Sequence, residues 1–163
     1  MTFFKPTLTT RAILFKCLYR IFAVLGCAFS GGNNPLVSPI FIIGTGRCGT
    51  TLLVDILKSH NGLAGFPNEA NELWHPSCFP ISRRIVEMPS ILEDPQKFTL
   101  RSIQEWPRNH EQTIRDTFEG FIKIQGKSKI FFTKSAMTSF MIPKIQEIFP
   151  DARFIHLYRS APS

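Results

Sequence analysis

The sequence predicts an α/β fold, a parallel sheet flanked by helices, and three observations carry that prediction. Short runs rich in Ile and Phe lie at residues 39–43, 129–133 and 153–158, with the length and composition of strands covered on both faces, as parallel strands are. Segments with apolar residues at helical spacing separate them, and strands alternating with helices pair in parallel through crossovers. Finally, the first run breaks at Gly44, Gly46 and Gly49 into a helical pattern at Leu52, Leu53, Ile56 and Leu57, a succession of strand, glycine loop and helix.

Composition sets the bounds. A chain of 163 residues, 44% apolar with 16 Phe, has room for one domain with a core and is neither disordered nor fibrous. The net charge of +7 comes from 19 basic and 12 acidic residues. It is concentrated early: Lys5, Arg11, Lys16, Arg20 and Arg47 all precede Asp55, the first acidic residue. Such a balance suits an anionic nucleotide or an anionic membrane surface. Nucleic acid is not an expected partner, because there is no recognition motif and no basic stripe with interleaved aromatics. Cys17, Cys27, Cys48 and Cys78 form no CxxC pair and have no paired His ligands, so no metal is expected, while disulfides stay open.

Taken in order, residues 1–38 are a basic, apolar N-terminal segment and linker, and residues 39–163 an α/β domain. Residues 11–30 are apolar with interruptions at Lys16 and Arg20, and the uninterrupted part, 21–30, is shorter than the ~20 residues a bilayer requires. Three readings compete: a signal peptide with a long basic region, an interfacial or marginal transmembrane anchor with snorkelling cations, and a soluble packing helix. Membrane association or secretory-pathway targeting is preferred over the packing helix, with a cytoplasmic location left open. After the glycine loop the helix runs to about Ser59, with Gly62 suited to a left-handed cap, and residues 63–66 form a short second strand. Residues 67–76 are a polar and aromatic cluster holding Glu69, Glu72, Trp74 and His75, where such sheets place active-site loops. Residues 76–95 read as a loop, 98–106 and 111–124 as helices. Lys134 and Ser135 follow the 129–133 strand, Pro143 opens a short helix through Phe149, and the last strand, 153–158, finishes on Arg159.

The glycine loop carries the chemistry. It points free N–H groups, at the positive end of a helix dipole, toward one spot where a phosphate can sit. Gly46 and Gly49 are expected to supply the permissive φ of the turn. The spacing from Gly44 to Gly49 matches a Walker A loop, but Thr50 stands where Lys belongs, and a cation, Arg47, lies inside the loop instead. This is a P-loop NTPase-like arrangement without the NTPase signature. Cys48, at a helix start beside Arg47, has a setting that favours a thiolate; the reading preferred for it is a small residue filling the loop.

On these residues the stretch Phe41 to Leu53 resembles the 5'-phosphosulfate loop of sulfotransferases that use 3'-phosphoadenosine 5'-phosphosulfate (PAPS), in which Lys or Arg stands at the Arg47 position before a small residue, Gly, Thr and Thr. Phe149 to Arg159 resembles the same family's strand before the 3'-phosphate site, with Arg159 as the matching phosphate ligand. The resemblance implies a transferase that moves a sulfuryl group from PAPS to a hydroxyl or amine acceptor, whether carbohydrate, protein tyrosine or small molecule. Gly46, Arg47, Cys48, Gly49, Thr50, Thr51 and Arg159 are then the nucleotide-binding residues, and Arg47 also stabilises the departing phosphate oxygen. Glu69 matches, one residue out of register, the catalytic base of tyrosylprotein-type sulfotransferases; Glu72 and His75 are the alternatives. Lys134 is placed to reach the phosphosulfate or to be solvated, and His156 is expected to be structural. Golgi members of the family carry a short N-terminal anchor, which agrees with the membrane reading of residues 11–30. Ser160 and Ala161 depart from the usual Asp-Pro, and the second 3'-phosphate ligand would lie beyond Ser163, so the sequence reads as the N-terminal part of a larger, truncated domain. The competing functions are a nucleotide-binding protein or small-molecule kinase with a degenerate loop, and an inactive sulfotransferase fragment.

Overall fold

The computed structural model describes residues 8–28, 36–67, 69–74, 103, 106–126 and 129–160. Four strands, β1 (Ile40–Gly44), β2 (Leu63–Gly65), β3 (Ile130–Lys134) and β4 (Arg153–Leu157), form one parallel sheet in the order β2-β3-β1-β4. The helices are α1 (Leu8–Ala28), α2 (Thr50–Lys58), the single turn α3 (Asn71–Trp74), α4 (His110–Gln125) and α5 (Ile142–Ile148). A 3-10 turn at Met137–Phe140 precedes α5. The loop expected over 76–95 lies outside the described residues, as does most of the helix expected over 98–106.

Alternation within the strands divides the core into two layers. Phe41 and Phe131 join one layer with Trp74, Phe118, Phe121, Ile145 and Phe149, while their neighbours Ile42 and Phe132 pack beneath α2 with Val54. The α4 pattern of Ile114, Phe118, Phe121 and Ile122 is the apolar stripe expected of a helix covering a sheet. Lys144 joins α5 to α4 by pairing with Glu111 at 2.6 Å and with Glu147 at 2.7 Å; these two hydrogen bonds hold its ammonium above the usual lysine pKa.

Helix α1 is docked on this framework. Tyr19 and Phe22 are buried against Phe66 and Phe121. Two glycines let the α1 and α4 backbones touch: a Cβ on Gly26 would stand 2.0 Å from the Asp116 carbonyl oxygen, and one on Gly120 would stand 1.9 Å from that of Phe22. The opposite face of α1 exposes Leu14, Cys17, Arg20, Ile21 and Val24. No helix among the described residues is long and apolar enough to cross a membrane.

Two local expectations are corrected. Gly62 is absent from the residues with positive φ, and α2 ends differently: the Ser59 hydroxyl donates to the Ile56 carbonyl at 2.7 Å, and the Gly62 N–H donates to His60 Nδ1 at 3.1 Å. A side-chain donor at Ser59 and a side-chain acceptor at His60 thus stand where the left-handed cap was expected. In the glycine loop, Arg47 rather than Gly46 takes positive φ, 67°, alongside Gly49 at 102°.

Candidate active site

Where the connections change direction across the sheet, the C-terminal ends of neighbouring strands leave a crevice. Here that point is β1. Its crossover through α2 leads to β2, beyond β3, whereas the β3 to β4 connection returns past β1 to its other side. The loop from Gly44 to Gly49 therefore sits between the ends of β3 and β4.

Close packing fixes the loop's first residue. Gly44 pairs with Leu157 across the β1–β4 ladder, its N–H donates to Ser139 Oγ at 3.1 Å, and a Cβ on it would stand 2.4 Å from the Leu157 carbonyl oxygen. The same hypothetical Cβ would meet Cys48 Sγ at 3.0 Å, so the half-buried thiol lies over the base of the loop. Cys17, Cys27 and Cys48 are all free; Cys78 lies outside the described residues. The left-handed conformation of Arg47 costs roughly 1–2 kcal/mol for a residue bearing a Cβ. Among the described residues the N–H groups of 46–49 make no backbone hydrogen bond, and those of Thr50 and Thr51, in the first turn of α2, have no intrahelical partner by helix geometry. The result is a row of donors beside a helix N-terminus, a setting that suits an anionic group.

On the β3 side stands a carboxylate network. Lys134 Nζ pairs with Glu69 Oε1, the Asn71 amide donates to Glu69 Oε2 at 3.1 Å, and the Ser135 hydroxyl donates to Asn71 Oδ1 at 2.7 Å. A cavity of about 180 Å³ joins this network to α2: Thr51, Glu69 and Lys134 line it together with Asp55, Lys58, Phe66 and Phe132. Arg47 and Arg159 lie outside the cavity, both exposed, and Arg159 follows β4 on the other side of the glycine loop. The side chain of Glu72 and the whole of His75 lie outside the described residues.

The far end of α3 is also secured. His110 Nε2 lies 2.7 Å from the Leu73 carbonyl oxygen; because a carbonyl can only accept, this nitrogen carries the proton. Trp106 Nε1 donates to the Trp74 carbonyl at 3.1 Å, so two side chains satisfy carbonyls that a helix end leaves unpaired. Burial pushes the His110 pKa below its usual value, against the opposing pull of the Leu73 carbonyl and of Glu111.

The sequence alone points to Lys134 without its partner and to no role for Asn71, Ser135 and Ser139. Their only signal was position, at the end of a strand or inside the polar cluster at 67–76. No group of three or more His, Cys, Asp or Glu side chains that could hold a metal ion occurs among the described residues.

Among curated proteins no relative matches this chain. Among solved structures it is similar to the crystal structure of the sulfotransferase STF1 from Mycobacterium tuberculosis, with a TM-score of 0.53 at 15% identity, covering 91% of this chain and 52% of that one. The likeness is one of fold, and the chain spans about half the length of that structure. The family model described as "Sulfotransferase family" matches residues 39–162, from the entry to β1 to beyond β4. With the match running through the whole sheet and both sides of the glycine loop, the chain belongs to the sulfotransferase family.

Proposed function

We propose that this protein binds PAPS and transfers its sulfuryl group to a hydroxyl or amine acceptor. The observation that carries the reading is the shared cavity: Thr51, at the start of the helix after the glycine loop, and the paired Glu69 and Lys134 line one space. When bound, PAPS supplies the electrophilic sulfur and departs as PAP. The N–H groups of residues 46–51 and the hydroxyls of Thr50 and Thr51 hold the 5' end, and Arg159 reaches the 3'-phosphate. Arg47 would stabilise the negative charge left on the departing phosphate oxygen. Glu69 would take the proton of an acceptor lodged in the cavity beside Phe66 and Phe132 as its oxygen or nitrogen bonds to the sulfur. No metal enters the scheme. Titration calorimetry with PAP and with ATP, both without magnesium, tests the donor. Binding of PAP in preference to ATP, with transfer of labelled sulfate to an acceptor, supports the reading; preference for ATP would favour a kinase-like protein.

A second proposal concerns α1. Its exposed face carries Leu14, Ile21 and Val24 beside Arg20, in a chain whose first third has cations and no acids before Asp55. Such a face suits the surface of an anionic membrane, with the helix lying in the interface and its inner face still docked on α4. This bears on the membrane and secretory-pathway expectation. Sedimentation with vesicles containing phosphatidylserine tests it: loss of binding in Ile21→Glu supports the assignment, and equal binding to neutral vesicles counts against it.

A further inference from the structure

The Glu69 carboxylate is held from two sides by consecutive residues of one strand end. Lys134 contacts Oε1 directly, and Ser135 acts on Oε2 through Asn71. We infer that Ser135 and Asn71 are positioning residues that set the rotation of the Glu69 carboxylate, an inference that rests on the reading of Glu69 as the base.

The argument follows the donors and acceptors. A primary amide can be turned by half a rotation with little change in shape, exchanging its oxygen for its NH2 group. In Asn71 the acceptor-only carboxylate selects one orientation, with Nδ2 donating to Glu69 at 3.1 Å, and the Ser135 hydroxyl anchors it by donating to Oδ1 at 2.7 Å. A turned amide would face the carboxylate with an oxygen, two acceptors meeting. Ser135 is itself anchored: it is 1% exposed, its N–H donates to the Ile42 carbonyl at 3.3 Å, and its own carbonyl accepts from Thr138 Oγ1 at 2.8 Å. Ile42 is two residues before the glycine loop. The relay therefore ties the carboxylate to the same strand that delivers the loop, and the separation between base and donor site is set by β1.

An ionised carboxylate has about four acceptor positions. Lys134 and Asn71 take one each, on different oxygens, so the plane of the group is fixed while positions on both oxygens stay open to the proton of an acceptor. Removing the relay frees that plane to rotate about the last side-chain bond. Geometry at the reacting centre would loosen, with the donor site untouched.

The experiment uses the full chain and has two arms. In the first, the Asn71 side-chain NH2 protons are followed by NMR. Two distinct, solvent-protected resonances are expected in the wild type, and faster exchange in Ser135→Ala with restoration in Ser135→Thr; identical exchange in the wild type and Ser135→Ala would overturn the inference. In the second, Ser135→Ala and Asn71→Ala should each lower kcat roughly 3- to 10-fold, the scale of one hydrogen bond, with KM for PAPS unchanged. Neither should lower kcat further in a Glu69→Gln background. An equal loss in that background would mean that the two residues act on folding or on another group, and would also overturn the inference. If Glu69→Gln turns over like the wild type, the assignment of the base fails, while the NMR arm still decides whether Ser135 fixes the amide.

Discussion

Gly44 runs so close to Leu157 that a Cβ on it would stand 2.4 Å from the Leu157 carbonyl oxygen. The first residue of the phosphate-type loop is thus locked to the strand that leads to Arg159. Gly44→Ala must push β4 from β1, in a backbone region that L residues avoid (φ 154°), and should destabilise the fold by about 2–4 kcal/mol. Urea unfolding measures this. An alanine variant of wild-type stability would mean that the two strands are looser than their register implies.

Arg47 separates stability from activity. Its side chain is exposed and its φ is 67°, so Arg47→Ala should leave stability nearly unchanged while lowering transfer by ~10²–10³, the usual loss for one transition-state donor. Arg47→Gly should be equally inactive yet, relative to Ala, stabilised by about 1 kcal/mol through relief of the left-handed conformation. Arg47→Lys should keep part of the activity. Unchanged turnover in Arg47→Ala would remove the residue from the mechanism.

For the base, Glu69→Gln should lower kcat by ~10²–10⁴, the range for a general base, with PAP affinity nearly constant. Glu72→Gln should have little effect. Single-turnover transfer and calorimetry together separate the two terms, and a loss confined to Glu72 or His75 would move the assignment there.

His110 gives a pH signature. Burial lowers its folded pKa below the usual 6.5, so at mildly acidic pH the unfolded chain binds more protons than the folded one. Stability is then fully present above about pH 6.5 and falls as the pH drops toward the folded value. His110→Gln should flatten this part of the profile between pH 5.5 and 7.5 in denaturant unfolding. A slope that persists in the variant would assign it to other groups.

Much of this was legible because it is local. The step from β1 through the glycine loop into α2 is written in adjacent residues, Ile40 to Leu57, and the strand ending near Arg159 in a run of alternating apolar ones. The order of the strands was not legible, because β3 enters between β1 and β2 from far along the chain. Glu69 and Lys134 are 65 positions apart, and no short-range pattern announces a partner at that distance. Gly46 and Arg47 make the same point about torsion angles: residue type marked the turn correctly, but the tertiary setting decided which residue bends left. Helical glycines such as Gly26 and Gly120 read as weaknesses in a sequence, and only the docked backbones show what they permit.

That helix contact has a kinetic side. Lys123 of α4 donates to the Gly26 carbonyl of α1 across 97 positions of chain, so α1 is made long before the surface that covers it. At synthesis rates of roughly 5–20 residues per second, α1 waits roughly 5–20 seconds with Tyr19 and Phe22 uncovered. During that interval neither of its faces is covered by α4. A helix that ends as part of a packed core thus begins as a nascent segment whose buried face has no partner until α4 is made.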